Sequence, residues 1–202
     1  MKSRALIFLA IALVLASCES NRLTSSEKKL INAAPADSAM RVLSVFNLED
    51  SLFLRKIASP AGNPANKHLQ LLSERMLSTV LHPASQGVGI AAPQVGISRR
   101  LILVQRFDKE GEPFEAYFNP VVLAASKQLV TRDEGCLSIP GYRGPVERPD
   151  VIEIEYLNNK GEKVAETVEG FTARIFLHEI DHLNGALYTD LLKADSLFRK
   201  VD

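Results

Sequence analysis

Apolar residues recur three and four positions apart over about 66–81 (Leu69, Leu72, Met76, Val80), the spacing that lines one face of an α-helix. Pro83 ends it. A short apolar run at 101–104 (LILV) predicts a strand, and 108–113 (DKEGEP) a turn. Residues 116–123 read as a strand broken by Pro120. Ile152, Ile154 and Tyr156 alternate with Glu153, Glu155 and Leu157, so a strand with one wet face is expected there. Residues 158–161 (NNKG) form a tight turn signal, and 163–168 return as the partner strand. Residues 171–184 predict a late helix that stops at Gly185, a favoured residue just past a helix end. No internal repeat or second domain boundary is visible. The pattern predicts one α+β domain with several short strands and a late helix.

The N-terminus follows a different pattern. Lys2 and Arg4 precede an unbroken apolar run over 5–16, shorter than the roughly 20 residues a bilayer-spanning helix needs. That run has the length of a signal-peptide core, and Leu15-Ala16-Ser17-Cys18 resembles a bacterial lipobox. The expectation is a signal peptide over 1–17, a lipid on Cys18, and an exported, membrane-anchored chain. Residues 18–41 are then expected to be a polar spacer, poor in aromatics, and 42–202 the catalytic domain.

Composition mainly excludes. The 202 residues are 46% hydrophobic, enough for one proper core, and rule out a disordered polymer or a polytopic membrane protein. The 24 basic side chains balance 24 acidic ones, leaving no basic field to grip nucleic acid. Two cysteines, Cys18 and Cys136, allow one disulfide at most, and none once Cys18 carries a lipid.

Chemistry enters with the late helix. It contains His178-Glu179-Ile180-Asp181-His182, and histidines four apart share a helical face, so both imidazoles can reach one metal ion. Glu179, beside the first histidine, is placed to handle a proton of the attacking water. A catalytic site needs a third protein ligand and an open position. Glu134 and Cys136 both qualify; Cys136 is preferred because a thiolate suits a borderline or soft divalent ion. A third segment, 87–94 (GVGIAAPQ), joins two glycines to Gln94, whose amide can donate to a developing oxyanion. It lacks the lysine of a phosphate-binding loop, and by itself reads as readily as a structural turn.

Taken together, the segments 87–94, 134–138 (EGCLS) and 177–182 (LHEIDH) resemble the peptide deformylase family, and the likeness extends over about 48–195. The resemblance implies an α+β domain of short antiparallel strands around a central metal-binding helix. It implies that Cys136, His178 and His182 hold the metal and that Glu179 is the general acid and base. Gln94 and the backbone N–H of Leu137 would stabilise the oxyanion. Gly87, Val88, Gly89, Phe171 and Ile175 would line the methionine pocket and its wall, and Arg143 the peptide path. Glu134 and Arg148 would pair in support of the cysteine segment. The implied metal is Fe(II), with Zn(II), Ni(II) or Co(II) as alternatives; an exported iron–thiolate site would face oxidation, which leaves zinc or another redox-stable ion open. The implied substrate is an N-formylmethionyl peptide and the default assembly a monomer. A related amidase acting on another N-blocked substrate, or an inactive formyl-peptide-binding lipoprotein, are the alternatives. The sequence departs from the family pattern twice: Leu177 stands where a glutamine is usual, and the stretch 82–86 is longer. The family works on nascent chains in the bacterial cytoplasm, which conflicts with the expected export.

Overall fold

The computed structural model describes residues 22–192 and 199–200. Three helices come first: α1 (Ser25–Ile31), α2 (Leu48–Leu54) and α3 (Lys67–Val80). Strands β1 (Gly89–Ala91), β2 (Leu101–Gln105), β3 (Phe114–Ala125), β4 (Leu129–Cys136), β5 (Ile139–Pro149), β6 (Val151–Leu157) and β7 (Lys163–Glu169) lead into α4 (Gly170–Leu183); β8 (Arg199–Lys200) closes the described chain. One antiparallel sheet has the order β1-β2-β3-β6-β7, and a second has the order β4-β5-β8. The α+β architecture matches the expectation.

The apolar run at 101–104 has a simple cause. Leu101 and Leu103 pack in one core cluster with Leu69, Leu72, Met76 and Val80 of α3. Ile102 and Val104 point to the other face and pack with Phe176 and Ile180 of α4. β2 is thus buried on both faces between two helices, which is why its sequence does not alternate.

β3 runs through Pro120 where a break is expected. The ladder to β6 shifts register between Phe118 and Val121, and Asn119 adopts φ 53°, so the proline sits in a bulge where it need not donate. The C-terminus of α4 is set by Gly185 at φ 71°. A Cβ there would collide with the backbone carbonyl of Arg55, so the α4 exit and the chain after α2 approach as only glycine permits.

Within the segment expected as a polar spacer over 18–41, the described part, 22–41, carries a helix and buried apolar residues. Thr24 and Glu27 form a capping box that starts α1, and Leu23, Ile31 and Met40 are buried in the same cluster as the apolar face of α3. Its few apolar residues are widely spaced, so the segment reads as polar, yet each of these three reaches the core.

Candidate active site

The β4–β5 hairpin and α4 meet at one end of the main sheet. β4 pairs with β5 from Leu129↔Pro149 to Gly135↔Arg143, then shifts register so that Cys136 faces Ile139. This shift places the Cys136 side chain over α4, where His178 and His182 lie one turn apart. One ligand atom from each of Cys136, His178 and His182 lies within 4.8 Å of the others. Cys136 Sγ is 3.2 Å from His182 Nε2.

The surroundings orient these groups. Glu134, buried, accepts from Arg148 Nε at 2.7 Å, from Arg148 Nη2 at 2.9 Å and from Arg174 Nη1 at 2.6 Å. Burial alone would raise its pKa, but Arg148 and His178 outweigh that and hold it down to about 2. An ionised carboxylate can only accept, so the 2.9 Å contact to His178 Nδ1 fixes the proton there and leaves Nε2 free for a ligand role. Burial drives the pKa of His182 down, keeping it in the neutral form that binds metals. Arg148 also donates to Asp181 at 2.7 Å, which accounts for the carboxylate between the two histidines.

Glu179 is 4% exposed, and its Oε2 has no hydrogen-bond partner among the described residues. Burial pushes its pKa up to about 7, against the lowering field of His178. Gly89 makes room for it: a Cβ at that position would lie 2.6 Å from Glu179 Oε1 and 2.8 Å from Ile175 Cγ2. Gln94 sits in a 3-10 turn, Ala92–Val95, which follows β1 directly. Its Oε1 accepts from Ala91 N–H (2.9 Å), so its amide nitrogen is aimed at Ser138 Oγ (3.3 Å) and Cys136 Sγ (3.5 Å).

A cleft of about 570 Å³ opens over these groups. Gly87, Val88, Gly89, Gln94, Cys136, Leu137, Arg143, Phe171, Ile175, His178 and Glu179 all line it, and His182 lies buried beneath. Phe171 is at the rim, packed on Phe107 with ring centroids 5.3 Å apart. Arg143 donates to the Asp133 carbonyl at 3.2 Å. The long stretch before the glycines contributes Ala84, Ser85 and Gln86 to the cleft, and Leu177 packs against the α4 core cluster away from the ligand atoms.

Sequence reasoning missed Arg174, Tyr188 and Ser138. Arg174 lies four residues before His178, hence on the same face of α4, and also donates to the carbonyls of Val146 (3.1 Å) and Val130. An arginine one turn before the first histidine, on the face that carries both, was the available signal. Tyr188 stacks on His178 at 6.1 Å between centroids.

The donor set fits a divalent ion. One soft sulfur and two imidazole nitrogens converge, with a buried carboxylate oxygen lacking a partner on the cleft side. Three such donors beside an open cleft define the class: a metal-dependent hydrolase. The comparisons specify which one. Residues 42–197 match the family model described as polypeptide deformylase. A peptide deformylase of Symbiobacterium thermophilum is 43% identical over 151 residues, 75% of this chain and 67% of the relative. One from Caulobacter vibrioides is 39% identical over 165 residues, 80% of this chain and 94% of the relative. The crystal structure of a class I type b peptide deformylase from Acinetobacter baumannii with Met-Ala-Ser bound is 36% identical, with a TM-score of 0.68, and covers 77% of this chain and 99% of its own. The chain belongs to the polypeptide deformylase family, metal-dependent hydrolases that remove the N-formyl group from peptides and release formate.

This membership corrects the expected location. The relatives are peptide deformylases, of a family that works on nascent chains in the cytoplasm, which contradicts an exported, lipid-anchored protein. Among the described residues no helix is long and apolar enough to cross a membrane. Cys18 and the lipobox-like segment lie outside the described residues. An apolar run ahead of a small residue and a cysteine is a short, degenerate pattern, far less specific than three ordered catalytic motifs.

Proposed function

We propose that Cys136, His178 and His182 hold one divalent ion with which this chain deformylates N-formylmethionyl peptides. The observation that carries the reading is the convergence of these three ligand atoms within 4.8 Å beside the unpartnered, buried Glu179 Oε2. When bound, such an ion supplies Lewis acidity and a water nucleophile at neutral pH. Fe(II) is the proposed metal; without export, the thiolate site does not face an oxidising compartment.

Glu179 takes the proton of the attacking water and returns it to the leaving amine. A carboxyl with a pKa near 7 is suited to both transfers, since neither protonation state is far out of reach at neutral pH. Gln94, its carbonyl oxygen tied to Ala91 N–H, presents its amide N–H to the developing oxyanion, joined by the backbone N–H of Leu137. Val88, Phe171 and Ile175 receive the methionine side chain, and Gly87 and Gly89 let the backbone of that wall come close. Arg143, at the rim, steers the peptide leaving the cleft. The bound Met-Ala-Ser of the Acinetobacter baumannii relative supports a peptide in this cleft.

The test is formate release from formyl-Met-Ala-Ser by protein prepared anaerobically and assayed with Fe(II), Zn(II) or no metal. Metal-dependent release is expected. No release from folded, metallated protein sinks the reading and points to a different N-acyl group.

A further inference from the structure

The family match starts at residue 42, yet the twenty residues before it are built into the molecule. Two buried arginines outside that segment hold it. Arg99, 4% exposed, meets the Glu27 carboxylate through Nε and Nη2, both at 2.9 Å, and donates to the carbonyls of Arg22 and Pro60. Arg75, 5% exposed, donates to the carbonyls of Leu30 and Ile31 at 3.0 Å each and of Ser38 at 3.2 Å, closing the C-terminus of α1. Ser78 Oγ donates to Ala36 O (2.9 Å), and Met40 N–H donates to Thr79 Oγ1 (2.8 Å).

The segment packs on α3 and joins the apolar core that also holds the flanks of the Gln94 turn. Ile31, Leu23 and Met40 share a core cluster with Ala92, Val95 and Ile97 on either side of Gln94. Leu30 closes over Gly96, where its Cδ2 would lie 3.3 Å from an added Cβ. The chain then leaves Met40 in an extended run that touches the site: Leu43 N–H donates to Gln94 O at 2.7 Å, and Val45 N–H to Ser138 O at 3.0 Å. The chain over 22–41 therefore shares a core with the residues flanking Gln94, and its continuation, through Leu43 and Val45, hydrogen-bonds the backbone of Gln94 and Ser138.

We propose that residues 22–41 are an intramolecular brace that holds the Gln94 turn in register with the Cys136 segment, with Glu27 and Arg99 as its positioning residues. The catalytic part of the proposal rests on the oxyanion role given to Gln94 above. A 3-10 turn of four residues has few hydrogen bonds of its own, so its placement depends on what packs behind it. Leu43, which donates to the Gln94 carbonyl, continues directly from this segment, and its neighbours Arg41 (side chain) and Ser44 (N–H) also donate to Asp50, so the segment acts on the turn chiefly through the shared apolar core. Displacement of about 1 Å at a donor is enough to cost a large factor in rate.

The test uses the full chain and two variants, Glu27→Gln and Glu27→Arg; the first keeps the side-chain shape and the second sets two guanidiniums against each other. Amide hydrogen exchange read by mass spectrometry is compared with kcat and KM on formyl-Met-Ala-Ser. In Glu27→Arg the brace predicts about tenfold faster exchange in peptides covering 23–41 and also 92–97, with 101–105 unchanged. It predicts kcat lower by about tenfold and KM within about twofold, with Glu27→Gln intermediate in both. Faster exchange at 23–41 with 92–97 and kcat unmoved overturns the proposal, as does an unchanged exchange pattern in both variants. If Glu27→Arg fails to fold, Glu27→Gln alone decides by the same two criteria. Absence of formate release from the wild type with every metal would instead remove the deformylase reading. The exchange arm still decides whether the segment holds the turn.

Discussion

His178 Nδ1 donates to Glu134 Oε2 at 2.9 Å, and with Arg174 this contact ties the helix bearing two candidate ligands to the strand bearing the third. Glu134 is two residues before Cys136 on β4, and two guanidiniums saturate its other oxygen lone pairs. Replacing it with alanine removes the group that orients His178 and strands Arg148 and Arg174 in the interior. Glu134→Ala is expected to lose metal about 10–100-fold more readily to a chelator. It should also be destabilised by about 3–5 kcal/mol in denaturant melts of the apo-protein.

Glu179→Gln keeps the size of the side chain and removes its ability to take a proton. Formate release should fall by about 10²–10⁴-fold, while the stoichiometry of metal binding, read by elemental analysis, stays that of the wild type.

Gly89→Ala tests the closest approach in the site. The added methyl would stand 2.6 Å from Glu179 Oε1, and neither the helix backbone nor Ile175, at 2.8 Å, offers space. A loss of about 10²-fold in kcat with an unaltered far-UV spectrum is the expected outcome, since the carboxyl is pushed aside and the fold is kept.

The same motifs show what was legible in the sequence. The α3 spacing, the two-faced run of β2 and the alternation of β6 each follow from local burial, so they appear in the residue order. The β4–β5 hairpin does not: its strands carry Gly135, Gly141 and Gly144, Pro140, Pro145 and Pro149, and little of it faces the core. Cys136, His178, Glu179, His182 and Gln94 were recognisable because their residue types are rare or their spacing is helical. Arg174, Arg75 and Arg99 were not, because each acts on carbonyls and carboxylates far away in the chain. The docked segment 22–41 was hidden for the same reason: its partners are elsewhere.

A separate ionic cluster contributes to stability that is lost in acid. Arg106, 2% exposed, meets Asp108 at 2.6 Å and Glu166 at 2.8 Å, and its guanidinium lies over the Phe176 ring. The hydrogen bonds from Arg106 hold the Asp108 pKa down to about 2, below its ordinary 3.8. Because the folded pKa is the lower one, the stabilisation is complete above about pH 4 and disappears as pH falls through about 2. Allowing for the partial exposure of Asp108, it amounts to about 1–2 kcal/mol. Asp108→Asn should therefore melt earlier than the wild type at pH 6, and the two curves should converge only below about pH 2.

On the proposed reading, one metal ion held by Cys136, His178 and His182 would make this chain a deformylase through Glu179. That reading is tested most directly by titrating metal-free protein with Fe(II) under anaerobic conditions while following formate release from formyl-Met-Ala-Ser. Activity should rise linearly and level off at one ion per chain, with Glu179→Gln binding the same single ion and staying below about a tenth of the wild-type rate. Full activity in the metal-free protein, or a Glu179→Gln variant that keeps more than that tenth, would contradict it.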